Sequence, residues 1–222
     1  MKGKMKKLFY ICVVLFCLLT VSCGGELAVS LYTRDLTDVA SARERILYTT
    51  VSFVVEGLRN EDDIEFLREN LNSFSNEHLT NYNYTKSLLF DVKVPIILYG
   101  TENEHDLSKD MLYIQGKENG DRYDFFMRYN RRLVSKINNY IYDNHYQNID
   151  LSQFTILLEL DNDSREDTKL VLNSSYVNGK AYPLTHEETL PARERLRVRL
   201  SDIMTKAISD TEQEYCILSI MK

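Results

Sequence analysis

The chain has no tryptophan, three prolines, eight glycines, four histidines and four cysteines in 222 residues. So few prolines and glycines exclude collagen-like repeats and Pro-rich linker character. The cysteines exclude more. Cys12 and Cys17 lie in an apolar run near the start, Cys23 closes that run, and only Cys216 stands in the remainder. A body with one cysteine forms no internal disulfide, so its core must hold by packing. Cys216, within Tyr215-Cys216-Ile217-Leu218, reads as a small buried hydrophobe. The histidines (His78, His105, His145, His186) are scattered. His186-Glu187-Glu188-Thr189-Leu190 opens like a zinc-protease helix, but its fifth residue is not the second imidazole that would share the metal. Asp161, Asp163 and Asp167 imitate a calcium loop only in part, because Arg165 takes a ligand position and the turn glycine and closing glutamate are missing. Glu102, Glu104, His105 and Asp106 read as a loop whose charge keeps it solvated. No Gly-x-Ser-x-Gly elbow, P-loop or dinucleotide-binding glycine turn is present. The sequence therefore predicts no catalytic residues, no metal and no cofactor.

What is present is a tripartite leader. Lys2, Lys4, Lys6 and Lys7 precede an apolar run from Leu8 to Leu19, which ends in Thr20-Val21-Ser22-Cys23. Basic, apolar and small-residue regions in that order form a secretory signal. The apolar run is shorter than the roughly 20 residues that span a bilayer. The ending resembles the lipobox of bacterial lipoproteins, although Thr20 stands where leucine is usual. The resemblance implies diacylglycerol addition at Cys23, cleavage before it, and a domain tethered to the membrane by lipid; the alternatives for the segment are plain secretion and an uncleaved anchor. Gly24 is not the aspartate that retains such proteins at the inner membrane, so the outer membrane is the expected address in a two-membrane host. Met5 is an alternative start, because MKKLFY is a basic region by itself.

Removing residues 1–22 takes away four lysines and no acid, so the net charge moves from −6 to −10 over the remaining 200 residues. That length supports a real core. The negative charge argues against nucleic acid and against electrostatic adhesion to anionic lipid. The expected division is a leader (1–22), an α+β part (23–149) and a β-rich part (150–222), the last two forming one continuous domain or two.

Periodicity supplies the elements. Leu27, Val29 and Leu31 alternate in a strand, Thr33 to Ala40 starts a short helix capped by Thr33 or Asp35, and Ile46 to Val55 is a second strand. Ile64, Leu67, Leu71 and Phe74 predict an amphipathic helix over 61–80. Asp91 to Tyr99 is a strand whose Pro95 predicts an edge or a bulge. Met111 to Gln115 and Tyr123 to Tyr129 flank Asn119-Gly120 as a hairpin. Arg131 to Tyr142 is the second amphipathic helix, with Asn130 as its cap. Strands at 154–160, 168–176 and 196–200, a helix near 201–209 and a strand at 215–221 complete a β-rich, sandwich-like C-terminal half. The predicted class is α+β, with mixed or antiparallel sheets and two amphipathic helices.

Two segments echo each other: Leu36-Thr37-Asp38-Val39 and Leu200-Ser201-Asp202-Ile203, with Thr37 or Ser201 as helix cap. The echo is either coincidence or two related lobes. Together with the lipobox, Asp161-Asn162-Asp163 and Val177-Asn178-Gly179-Lys180, these segments resemble a family of uncharacterised lipoproteins of bacteria and their phages. The resemblance covers residues 23–55 and 154–222 and supplies no catalytic residue. The binding candidates are tyrosines, whose apolar ring and polar tip suit interfaces: Tyr82, Tyr84, Tyr113, Tyr123, Tyr129 and Tyr140, with Tyr142 and Tyr146 nearby, beside Arg131 and Arg132. The same tyrosines also suit ordinary core filling. The expected role is non-catalytic, binding or structural, at the cell envelope, with an envelope protein or surface polymer as partner. The alternatives are an envelope hydrolase assembled from dispersed carboxylates and a phage-encoded lipoprotein that blocks a receptor.

Overall fold

The computed structural model describes residues 22–58, 60–211 and 213–222. The predicted leader up to Val21 and the side chains of Ser22 and Cys23 lie outside the described residues. The elements run β1 (Ser22–Tyr32), α1 (Thr33–Ala40), β2 (Ile46–Glu56), α2 (Glu61–Asn70), β3 (Ser75–Tyr82), β4 (Thr85–Leu98), a 3₁₀ turn (Glu102–Glu104), β5 (Leu112–Asn119), β6 (Arg122–Tyr129) and α3 (Arg131–His145). They continue with β7 (Asn148–Asp161), β8 (Thr168–Val177), β9 (Lys180–Leu190), β10 (Arg195–Leu200), α4 (Asp202–Asp210) and β11 (Cys216–Met221).

The strands form one mixed sheet in the order β10-β7-β1-β2-β4-β5-β6-β11-β8-β9, and β10 also pairs with β8. That extra pairing closes nine strands into a ring. β3 attaches to β4 and β9 to β8 outside it. Two ladders are parallel, β1 with β7 and β4 with β5; the other ladders are antiparallel. Alternation decides which face turns inward. Leu27, Val29 and Leu31 of β1 and Val51, Phe53 and Val55 of β2 are buried, and they join one apolar cluster with residues of β4 to β8, β10 and β11. Each such side chain contributes about 1.5–3 kcal/mol on burial. Between them, Ser30, Ser52 and Glu56 remain partly exposed and Thr50 is exposed. Apolar-in and polar-out is the reverse of a barrel that faces lipid. Among the described residues no helix is long and apolar enough to cross a membrane.

The helices close the ring. α1 packs chiefly on β5 and β4, and α4 on β7. Leu36, Val39 and Ala40 are the apolar side chains that α1 buries. At Gly116 of β5 an added Cβ would stand 3.2 Å from Cβ of Ala40 and 2.9 Å from the Phe125 ring, so the helix approaches because that residue is glycine. Gly25 is more constrained, since a Cβ there would lie 2.1 Å from the Val54 carbonyl oxygen.

Several expectations are corrected. Besides the two amphipathic helices, the short ones expected from Thr33 and near 201–209 are both present, but the helix predicted over 61–80 ends at Asn70. Leu71 is already extended, and Ser75–Tyr82 pairs with β4 as β3. Leu71 is buried and Phe74 sits 5.1 Å from Phe90, so their helical spacing reports contact with the core and not helix continuation. The strands are not concentrated in a C-terminal half; β7 lies between β1 and β10, and β11 next to β6. The ring replaces the expected sandwich. Pro95 lies in an interior strand, in the stretch 92–95 of β4 that has a partner in β2 but none in β3 or β5. A residue lacking N–H is tolerated there. The echo dissolves as well. Ser201 caps α4 by accepting from the Met204 N–H at 3.1 Å, whereas Thr37 lies inside α1 and donates to the Arg34 carbonyl.

Candidate functional site

The predicted tyrosines do not share one face. Tyr113 and Tyr129 come together with Arg128 and Arg131 at the open end of the β5–β6 hairpin, around a cavity of about 180 Å³ that Thr211 and Gln213 complete. Arg128 is tied down: it donates to Glu214 at 3.0 Å and to Gln115 at 3.2 Å. Arg131 donates to the Thr211 carbonyl. The Tyr129 hydroxyl is buried with no hydrogen-bond partner among the described residues, and burial pushes its pKa up. Arg132 lines a separate depression with Asn70, Lys109 and Lys136. Tyr123 lies on β6 opposite Ile220, with the Lys222 ammonium 5.1 Å from its ring centre.

Tyr140 belongs to a polar knot that joins two helices. Asn60 caps α2 by accepting from the Asp63 N–H at 2.9 Å, and Asp63 Oδ2 accepts in return from the Asn60 N–H. The other oxygen of this fully buried carboxylate accepts from Tyr140 at 3.3 Å and lies 2.7 Å from His145 Nε2. Tyr140 also stacks on Phe66 at 3.8 Å. Burial and the adjacent carboxylate push its phenol up to about 12. Asp63 and His145, one of the scattered histidines, are 82 residues apart, beyond the reach of any spacing rule. The arrangement locks the start of α2 to the end of α3.

Tyr82 and Tyr84 lie at the β3–β4 turn, Tyr84 wholly exposed. Tyr142 and Tyr146 lie at the end of α3, their ring centres 6.4 Å apart. These four tyrosines share the end of the sheet where β1 begins. At Cys23, the predicted lipid site, the backbone is already in β1 and pairs with Ile149.

The acidic segments have structural partners. Asp163, in the segment that imitates a calcium loop only in part, supplies the missing cap of α1: its Oδ1 accepts from the Arg34 N–H at 3.1 Å and from Thr33 Oγ1 at 3.4 Å. Neither Thr33 nor Asp35 caps that helix, whose cap position, Tyr32, makes no side-chain bond. Asn162, fully buried, donates to the Glu166, Leu190 and Pro191 carbonyls and accepts from Thr33, so it ties two loops to α1. His186 lies in β9 and not on a helix, stacked on Tyr182 at 3.6 Å. Asp110 is 3 % exposed, and desolvation raises its pKa to about 6 against one long bond from Asn72. Cys216 is half-buried, with its thiol pKa raised chiefly by desolvation. Among the described residues no three His, Cys, Asp or Glu side chains gather where they could hold a metal ion.

No curated protein and no solved structure matches the chain. A family model does, over residues 25–222, which spans every described element but the first three residues of β1. The chain belongs to that family, a domain of unknown function designated DUF7424.

Proposed function

We propose that the chain is a lipid-anchored envelope protein whose domain serves a binding or structural role. The observation that carries the reading is the leader: four lysines, twelve apolar residues, and Thr20-Val21-Ser22-Cys23. The family domain starts at Gly25, two residues beyond the proposed acylation site, which is the spacing expected if lipid and domain are joined with almost no linker. More than one acyl chain at the cysteine supplies the affinity, since each buried methylene contributes about 0.8 kcal/mol and one chain alone is marginal. Gly24 in place of aspartate favours the outer membrane where a host has two. The domain contributes contact surface, and its partner is an envelope protein or a surface polymer.

Metabolic labelling with an alkyne fatty acid tests the anchor. Label on the native chain, its loss in Cys23→Ala, and a precursor that accumulates under globomycin are the expected results. An unlabelled native chain would refute the reading.

A further inference from the structure

The end of the sheet that holds the start of β1 carries two aromatic side chains in positions where local backbone chemistry argues against them. The β3–β4 hairpin closes with the two-residue turn Asn83-Tyr84, both at positive φ (47° and 65°). Asn-Gly is the favoured pair for such a turn, because the second residue must adopt a left-handed conformation. α3 ends at Tyr146 with φ 55° and ψ 35°, the position at which glycine usually terminates a helix. Among the described residues, Tyr84 and Tyr146 are the two aromatic ones with positive φ. They are also the two most exposed large apolar side chains, at 106 % and 83 %. Each left-handed conformation is sterically unfavourable for a residue other than glycine. Rings held at such cost and packed on little of their own domain point to a use outside it.

Their place identifies the use. β1 and β7 are parallel neighbours, with Ser22 opposite Asn148, so Tyr146 lies two residues beyond the row where the leader joins the domain. β4 is two strands from β1 on the other side, about 10 Å at the usual spacing, and Asn83 donates to Glu56 at the end of β2. The tyrosines therefore flank the point from which residues 1–21 depart. Glu56, Asp143 and Asp150 stand at this end with Lys86, so charge does not draw it toward anionic lipid. Tyrosine rings with a polar tip belong at the headgroup level of a bilayer.

We propose that this end of the domain, through Tyr84 and Tyr146 with Tyr142, seats on the membrane surface at headgroup depth and fixes the orientation of the ring. The inference rests on the lipid anchor at Cys23, because an acyl group attached directly to the first strand leaves this end no room to stand off. The absence of tryptophan makes it testable with single reporters. Protein expressed with its leader and purified from membranes in its processed form, carrying Tyr84→Trp, Tyr146→Trp or Tyr32→Trp, is reconstituted into phosphatidylethanolamine vesicles containing brominated phosphatidylcholine. Tyr32 is the control, ten residues along β1 and about 33 Å from Ser22. The expected result is co-flotation of all three, with quenched, blue-shifted emission from the reporters at 84 and 146 and none at 32. Co-flotation without quenching at 84 and 146 would overturn the seating while leaving the anchor intact. A chain that does not float would overturn the anchor and the seating with it.

Discussion

Replacing Asp110 with asparagine should stabilise the protein at neutral and alkaline pH and change little in acid. Asp110 sits between β4 and β5, almost wholly buried, with the Asn72 amide 3.4 Å from one oxygen. Desolvation lifts its pKa from 3.8 to about 6. The folded state therefore holds this proton more tightly than the unfolded chain. The favourable contribution is complete below about pH 4 and is lost as pH rises through 6. Above that, the fold carries a buried carboxylate at a cost of about 3 kcal/mol, from roughly two pKa units at 1.36 kcal/mol each. The Asp110→Asn side chain keeps the acceptor oxygen for Asn72 and removes the charge. Urea unfolding of both proteins at pH 4, 6 and 8 should give midpoints that coincide at pH 4. At pH 8 the variant's should be higher by about 1 M, for a slope near 3 kcal/mol per molar. A midpoint difference that is constant across this range, or a variant less stable at pH 8, would refute the assignment of the shift to burial.

Four further outcomes follow from the packing. Tyr84→Gly and Tyr146→Gly should each raise stability by about 0.5–1 kcal/mol, since glycine relieves the left-handed strain at some entropic cost; urea midpoints would show it, and a fall would mean that the rings pack on the domain. Asn162→Ala should cost about 3 kcal/mol, because a buried amide that links Thr33 to the Glu166, Leu190 and Pro191 carbonyls is lost at once; a Tm unchanged from the parent would contradict that role. His145→Ala should destabilise by about 2–3 kcal/mol by stripping a partner from the buried Asp63 carboxylate, and hydrogen exchange should quicken at the start of α2 and the end of α3 together. Gly25→Ala should fail to give a cooperative thermal transition, because its Cβ would overlap the Val54 carbonyl and the Phe154 ring.

Much of the ladder was legible from residues alone. β1, β2, the β5–β6 hairpin, α3 and β11 are read from alternation or helical spacing, because each places one face in the core. β3 and β9 were not, and the reason is their position. Both lie outside the closed ring, β3 buries no residue fully and β9 only Leu190, so neither carries a period for the sequence to show. The end of α2 was missed because Leu71 and Phe74 keep helical spacing while contacting the core from extended chain. Caps and knots formed over long separations were invisible for a different reason. Asp163 reaches Arg34 across 129 residues and His145 reaches Asp63 across 82, and spacing rules describe only neighbours. The tyrosine tract was recognised as a set of residue types, but its division among a cavity, a buried knot and an exposed end depends on topology.

The placement of β1 has a consequence for how the chain is made. The strand next to the leader has β2 on one side, within reach after some thirty residues, and β7 on the other, whose matching residues run to Asp161. The ring closes only when β10 pairs with β8 near residue 200. Contacts this distant in sequence form slowly. During synthesis the segment joined to the leader therefore stays without one neighbour until most of the polypeptide has appeared. Under the proposed anchoring, an enzyme acting at Cys23 would meet an open strand rather than a closed ring. If Cys23 is the acylated residue, order of events and not only sequence would govern its modification: a protein allowed to complete its ring first would hold Cys23 in a ladder with Ile149, out of reach of the machinery that reads the residues around it.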